Sequence, residues 1–231
     1  MYLAIIPAYN EEKSIPTIIQ KTEKYVDCVV VIDDHSIDNT ERIAKECGAT
    51  VIRHSTNKGV GGAMKTGIAY AKKLKPDIVV TIDADGQHNP EDIPKLIKPI
   101  LAGKADLVLG SRFFGRQPAD MPLQKSIGNK LLAFMVSLLV GTWLKDTQTG
   151  FRAFNRRALL SLNLVSDFTY TQEMILDLCH KGFRCVEVPV QVHPRKHGQS
   201  KVVSKIGKYA LKSLMIIFST YLRSKIYTVN F

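Results

Sequence analysis

An open, mostly parallel α/β sheet with helices on both faces is the fold class this sequence predicts, and three observations predict it. Short apolar runs, such as Val29-Val30-Val31-Ile32 and Ile78-Val79-Val80, recur through the first half. Segments of helical periodicity separate them, and a run that is apolar at every position suits a strand buried on both faces by crossover helices. Polar residues cluster where the runs stop, at the carboxyl ends where such sheets bind ligands.

In order, Tyr2–Ile6 reads as the first buried strand and ends on Ala8-Tyr9-Asn10-Glu11, with Ser14–Tyr25 as the helix that follows. Val29–Ile32 is the second strand, closing on Asp33-Asp34, and Asp38–Cys47 is its helix. Thr50–Ile52 is a short strand, Gly61–Leu74 a helix, Ile78–Ile82 a strand and Pro90–Leu101 a helix. Asp106–Leu109 closes the series and runs into Ser111-Arg112. Asp34, Ser36 or Asp38 alone would suit a helix N-cap. It is the convergence of several polar strand ends on one edge that points to a site.

The 231 residues suffice for one large domain, expected at 1–200, with 201–231 as a C-terminal appendage of amphipathic helix. With 45% hydrophobic and 23% charged residues, and no repeat or low-complexity tract, the chain is not a disordered one. Cys28, Cys47, Cys179 and Cys185 lack metal-ligand spacing, Cys28 and Cys185 sit in apolar strand-like runs that suit buried thiols, and a reducing cytoplasm is expected. The start, MYLAIIPAYNEE, turns polar too early for a signal peptide. A net charge of +11 points to phosphate on a partner, nucleic acid or membrane. After Glu187 no acidic residue follows, while Arg195, Lys196, Lys201, Lys205, Lys208, Lys212, Arg223 and Lys225 do, so most of the excess is C-terminal.

The segment TIDADGQH, residues 81–88, sets two carboxylates at the end of an apolar strand. Positions i and i+2 of an extended chain point to one side, so Asp83 and Asp85 can face a single cation, with the Gln87 amide oxygen as a further hard ligand. Mg²⁺ or Mn²⁺ takes oxygen ligands, keeps several waters and is usually completed by substrate phosphates, which implies a nucleoside diphosphate. Asp85-Gly86 also suits an ordinary turn, and the pair alone does not separate the two readings.

PAYNEE at 7–12, DDHSIDNT at 33–40, DADGQH at 83–88, GSRF at 110–113, DTQTGFRAF at 146–154 and RKHGQSK at 195–201 occur in an order that resembles the family-2 glycosyltransferases of GT-A (Rossmann-like) fold. The closer resemblance, over nearly the whole chain, is to the polyprenyl-phosphate sugar synthases typified by dolichol-phosphate mannose synthase. It implies metal-dependent, inverting transfer of a hexose from GDP-mannose or a UDP-hexose to a polyprenyl (dolichyl) phosphate. It implies that Pro7, Tyr9, Glu11, Ile32 and Asp34 line the nucleoside pocket, and that Asp83, Asp85 and Gln87 hold Mg²⁺ or Mn²⁺ with Ala84 beside the donor. Arg112 matches a phosphate-binding arginine, Asp146 begins the sugar-side motif, and Arg195 and Lys201 match a loop that closes over donor and acceptor. Where relatives often carry an arginine and a small polar residue after GSR, this chain has Lys125 and Asn129, a point charge in place of a bidentate fork. With Arg112 these are the expected acceptor-phosphate residues.

A lipid monophosphate oxygen is anionic at neutral pH and needs no strong general base, so positioning and electrostatics carry the rate. Asp85, through the metal, and Arg112, through the phosphates, are the expected catalytic groups. Glu173, in TYTQEM, is the remaining carboxylate for orienting the sugar or serving as base, or else an ordinary acidic residue at a helix start.

Leu131–Leu144 is apolar almost all round but shorter than the ~20 residues of a membrane span. Ser126, Lys130 and Ser137 fall on one narrow stripe, leaving a wide apolar face that ends at Trp143, so a helix near 124–144 suits the membrane interface or the core. Across Lys201–Lys225, the residues Lys201, Lys205, Lys208 and Lys212 stack opposite Ile206, Ala210, Leu214, Ile217 and Tyr221, a basic amphipathic pattern suited to anionic lipid. The expectation is peripheral attachment at the cytoplasmic face of a membrane, alone or with a membrane partner subunit.

Two rivals are weaker. Gly59-Val60-Gly61-Gly62-Ala63-Met64-Lys65-Thr66 approaches a P-loop but carries Met64 where the pattern needs glycine. Nucleic-acid binding rests on charge alone, matches no known motif and leaves the acidic strand ends unexplained, so no nucleic-acid partner is expected. A family-2 transferase with a soluble or glycan acceptor is the main alternative, and the donor stays open between GDP-mannose and UDP-hexoses.

Overall fold

A computed structural model describes residues 1–114, 123–194 and 206–228. The strands are β1 (Tyr2–Ala8), β2 (Cys28–Asp33), β3 (Thr50–Arg53), β4 (Ile78–Thr81), β5 (Leu107–Ser111), β6 (Arg152–Asn155) and β7 (Cys185–Pro189). They form one sheet in the order β3-β2-β1-β4-β6-β5-β7. Side chains alternate along each strand, so Leu3 and Ile5 enter one apolar core and Ala4 and Ile6 the other, with all four fully buried.

The helices are α1 (Ile15–Thr22), α2 (Thr40–Glu46), α3 (Gly59–Leu74), α4 (Ile93–Leu101) after a 3₁₀ turn at Pro90–Asp92, α5 (Leu123–Val140), α6 (Arg156–Ser161), α7 (Thr171–His180) and α8 (Ile206–Thr228). Both α1 and α4 begin with proline in the first turn, where the missing N–H is not needed. The helices of the first half fall where the periodicity predicts, within a few residues.

One strand departs from the predicted series. β6 inserts antiparallel between β4 and β5, with Ala153 opposite both Val80 and Val108. Its four residues, RAFN, begin with a charge, which hides a strand from a reading based on apolar runs. Yet Arg152 is fully buried, and its guanidinium donates to the carbonyls of Thr149 (2.8 Å), Thr171 (2.7 Å) and Thr147 (3.2 Å). The arginine thereby moulds the 147–150 loop that precedes the strand.

α5 and α8 pack on α7 and on each other. Most of their small hydroxyl residues face inward: Ser126 and Ser137 of α5, and Ser213, Thr220 and Ser224 of α8, are buried, while Ser219 is exposed. The Ser137 Oγ accepts from the Leu144 N–H at 2.9 Å and donates to the Ala133 carbonyl at 2.7 Å, tying down the turn after the helix. The expected polar stripe of α5 is therefore split: its serines pack inside and only Lys130 is exposed. Ile127, Leu131, Phe134, Leu138 and Trp143 point outward, with Trp143 70% exposed, and Met215, Phe218 and Leu222 do the same on α8. No helix among the described residues is long and apolar enough to cross a membrane.

Candidate active site

Because β2, β1 and β4 are neighbours in the sheet, their carboxyl ends lie side by side and frame a cleft of ≈ 380 Å³. Pro7, Tyr9 and Glu11 reach it from β1, Asp34 from β2, and Asp83, Ala84 and Asp85 from β4. Thus seven of the residues singled out from the sequence meet in one place. The first two loops are interlocked. Asn10, held at a left-handed φ of 55°, accepts from the Ile37 N–H through its side chain (2.9 Å) and donates its own N–H to the Ser36 Oγ (2.9 Å). The Glu11 N–H donates to the Thr40 Oγ1 at 2.8 Å.

Asp34 is 3% exposed and anchors the start of α3: its carboxylate accepts the N–H groups of Lys58 and Gly59, each at 2.8 Å, and pairs with His54 at 2.8 Å. The other ring nitrogen of His54 meets the Thr66 Oγ1 at 2.8 Å. The opposite wall of the cleft is the first turn of α3, including Gly59, Val60 and Ala63, together with Asn57. The sequence reading missed these residues as wall; the glycine-rich helix start was their signal, and it also resembled a P-loop. Lys65, the lysine of that rival reading, is committed to the Val165 carbonyl (3.0 Å) and to an ion pair with Asp167.

Asp83 and Asp85 are both half-buried and both line the cleft. Gly86, at a φ of 75°, turns the chain after them, and the Asp85 Oδ1 accepts the Gln87 N–H at 3.0 Å. The Gln87 carbonyl accepts the His193 N–H at 2.8 Å, pinning this loop to the chain beyond β7. Gly150, missed by the sequence reading as a single residue, makes room for Asp83: a β-carbon there would lie 2.6 Å from the Asp83 Oδ1. Two carboxylates opening on a cleft of nucleotide size fit a hard divalent cation completed by phosphate oxygens, while Gln87, the expected third ligand, is not among the residues lining the cleft. Among the described residues no group of three or more His, Cys, Asp or Glu is placed to hold a metal alone.

Arg112 and Asp146, which are not among the residues lining the cleft, form a bidentate pair, Nε to Oδ2 at 2.6 Å and Nη2 to Oδ1 at 2.8 Å. Burial would raise the Asp146 carboxyl, but the Arg112 charge and its hydrogen bonds outweigh that and hold it below its ordinary value. The Asp146 and Lys145 N–H groups donate to Glu187 at 2.7 and 2.8 Å, and burial pushes Glu187 upward. His88 is buried against Phe151, and burial together with the Arg112 charge lowers it to about 3, so the ring is neutral.

Other expected residues lie elsewhere. Ile32 is fully buried beneath α3, where a β-carbon on Gly67 would lie 3.4 Å from it, so it belongs to the core and not to the cleft lining. Glu173 is 1% exposed and is not among the residues lining the cleft. Its carboxylate accepts the N–H groups of Val165 (2.8 Å) and Ser166 (3.0 Å) and pairs with Arg223 at 2.8 Å. A buried carboxylate so occupied serves as a holding group in this structure. Asn129 is buried in α5. The Lys125 side chain, Arg195 and Lys201 lie outside the described residues.

A mixed sheet with one antiparallel strand inserted beside β4, and an acidic couplet at the end of β4 on a shared cleft, is the arrangement of the GT-A fold. Residues 3–162 match the model of glycosyl transferase family 2, and the chain belongs to that family. Among its relatives, the UDP-N-acetylglucosamine–dolichyl-phosphate N-acetylglucosaminyltransferase of Methanococcus voltae is 42% identical over 69% of this chain and 71% of its own. The undecaprenyl-phosphate mannosyltransferase of Micrococcus luteus is 32% identical over 87% of this chain and 86% of its own. Of solved structures, glucosyl-3-phosphoglycerate synthase from Mycobacterium tuberculosis, in complex with Mn²⁺, UDP and glucosyl-3-phosphoglycerate, superposes with a TM-score of 0.76 at 22% identity, over 95% of this chain and 79% of its own.

Proposed function

We propose that this protein transfers a hexose from a nucleoside-diphosphate sugar to a polyprenyl phosphate, with inversion, at the cytoplasmic face of a membrane. The observation that carries the reading is the pair Asp83 and Asp85, opening together on a cleft whose other walls come from the β1 and β2 strand ends and the start of α3. The relatives' names, which include transferases to dolichyl and undecaprenyl phosphate, support the acceptor class. The Mn²⁺ and UDP named for the structural neighbour support the donor class.

The rim residues then have distinct tasks. Asp34, fixed by the amides of Lys58 and Gly59, holds the nucleoside side of the cleft together with Pro7, Tyr9 and Glu11. Asp83, Asp85 and the Gln87 amide oxygen would hold Mg²⁺ or Mn²⁺, which when bound supplies charge neutralisation to the departing diphosphate. Arg112, aligned by Asp146, screens the phosphates, with Lys125, Asn129, Arg195 and Lys201 proposed on the acceptor side. The acceptor oxygen is already an anion, so its attack on the anomeric carbon needs alignment and not proton removal, and a single displacement inverts that carbon. The outward apolar stripes of α5 and α8 bring the site to a lipid surface. A soluble acceptor is the second reading, and the same stripes speak against it.

The test is a donor screen with GDP-mannose, UDP-glucose and UDP-N-acetylglucosamine, each with a short polyprenyl phosphate and Mg²⁺ or Mn²⁺. Transfer should appear with one donor class and vanish with EDTA or Asp85→Ala. Activity indifferent to both would refute the metal assignment, and transfer to soluble acceptors alone would refute the lipid.

A further inference from the structure

The wall of the cleft formed by α3 is thin. Behind its first turn lies the backbone of Ser166 and Asp167, so close that a β-carbon on Gly61 would sit 2.6 Å from the carbonyls of both, and one on Gly59 would sit 3.1 Å from that of Asp167. The Gly62 N–H donates to the Asp167 carbonyl at 3.3 Å, and the Lys65 ammonium grips the Val165 carbonyl at 3.0 Å. Residues 165–167 are thus a wedge, and the position of Gly59 and Val60 on the cleft follows its position.

Glu173 holds that wedge from the other side. Its two carboxylate oxygens take the N–H groups of Val165 and Ser166, and its cationic partner comes from a distant element, Arg223 of α8. The Arg223 Nη2 also donates to the Asn163 carbonyl at 3.3 Å, at the start of the same segment. A second tie joins them, since the Lys212 ammonium lies 4.8 Å from the centre of the Phe168 ring. The helix that carries the outward stripe of Met215, Phe218 and Leu222 is therefore fastened at two points to the wedge behind the cleft. A buried carboxylate without its cation would reorganise, and its two amide bonds would loosen with it.

We infer that the Glu173–Arg223 pair is a latch through which the seating of α8 positions the α3 wall, so that affinity for the sugar nucleotide depends on α8 being docked. Glu173 and Arg223 are positioning residues that touch no substrate, and the inference rests on the proposed use of the cleft. Two sites joined through one segment typically couple by about 5- to 150-fold in affinity, and the two ties here suit the lower end.

The experiment compares the full-length chain with Arg223→Ala, Arg223→Lys, Glu173→Gln and Lys212→Ala by steady-state kinetics and by hydrogen exchange. Arg223→Ala and Glu173→Gln should each raise the donor KM about tenfold, with kcat held within about twofold. Exchange should quicken about tenfold at the Val165 and Ser166 amides and also over residues 59–63, while Arg223→Lys restores most of both effects. If Arg223→Ala does not fold, Lys212→Ala carries the test with a smaller shift of the same pattern. Unchanged KM and exchange would overturn the latch. So would faster exchange at 165–166 that does not reach 59–63, and so would a Glu173→Gln variant that loses kcat at unchanged KM, which would return Glu173 to the chemistry. Should the wild type turn over no sugar nucleotide, the proposed function fails, while the exchange pattern still decides whether α8 and the α3 wall are coupled.

Discussion

Replacing Gly150 with alanine separates the site from the fold. The backbone at Gly150 cannot retreat, because its carbonyl accepts from the Thr81 Oγ1 at 2.7 Å and from the Tyr170 hydroxyl at 3.3 Å. A β-carbon there would stand 2.6 Å from the Asp83 Oδ1 and 2.8 Å from its Cγ, so the carboxylate must yield by roughly 1 Å to reach an ordinary contact of about 3.5 Å. Asp83 is half-buried and its side chain can rotate, so we expect a loss of about 1 kcal/mol in stability, the low end for overpacking, and a melting temperature lower by about 2–4 °C. Function should suffer more: a 1 Å misplacement of a reacting or metal-holding group costs up to ~10²-fold, equivalent to about 2.7 kcal/mol. The assay is kcat/KM for sugar transfer beside the Mn²⁺ dissociation constant from electron paramagnetic resonance. Both should worsen far beyond what the melting temperature explains. A Gly150→Ala enzyme with wild-type turnover and Mn²⁺ affinity would refute the argument that Asp83 must occupy this place.

Three further outcomes follow from the same geometry. The Asp146 carboxyl is lowered in the folded chain, so its stabilising contribution is complete above the unfolded value of about 3.9 and is lost as pH falls through the folded value. Asp146→Asn should therefore lower stability by about 3 kcal/mol near neutrality and flatten part of the acid-side decline below about pH 4 in a denaturant titration; a parallel decline in both proteins contradicts this. Gly61→Ala drives a β-carbon into the Ser166 and Asp167 backbone and should cost about 1–3 kcal/mol in chemical unfolding, whereas neutrality would mean that the wedge is not packed as described. Leu131→Ser, Phe134→Ser and Leu138→Ser combined should weaken binding to anionic vesicles by at least about tenfold per side chain while the melting temperature holds, since all three point outward; unaltered partition would remove α5 from the lipid surface.

The shared placement of Asp83 and Asp85 on one cleft was legible because period 2 puts both on one side of an extended segment whatever the surroundings. The Arg112–Asp146 pair was not, since its partners are 34 residues apart and meet only when β5 and the loop before β6 converge. The partners of Glu173 were not legible for a related reason. A carboxylate in the first turn of a helix looks alike in sequence whether it faces substrate, solvent or another helix, and here Arg223, 50 residues away, settles the matter. Ile32 shows the converse case, a strand residue adjacent to the site in sequence whose side chain is packed in the core and does not line the cleft.

By itself the sequence determined the alternation of buried strands and helices, the carboxyl-edge location of the acidic residues and the family, because apolar period and strand-end chemistry are local properties of the chain. Only the tertiary structure decided the antiparallel insertion of β6 and the inward turn of the α5 and α8 hydroxyls. Strand order and the choice of a buried face depend on partners distant in sequence. A helix apolar nearly all round has no local rule for which side is inner, so serines small enough to allow close helix contact went inside, Ser137 with its hydroxyl bonded to the Ala133 carbonyl, and the larger apolar side chains were left facing out.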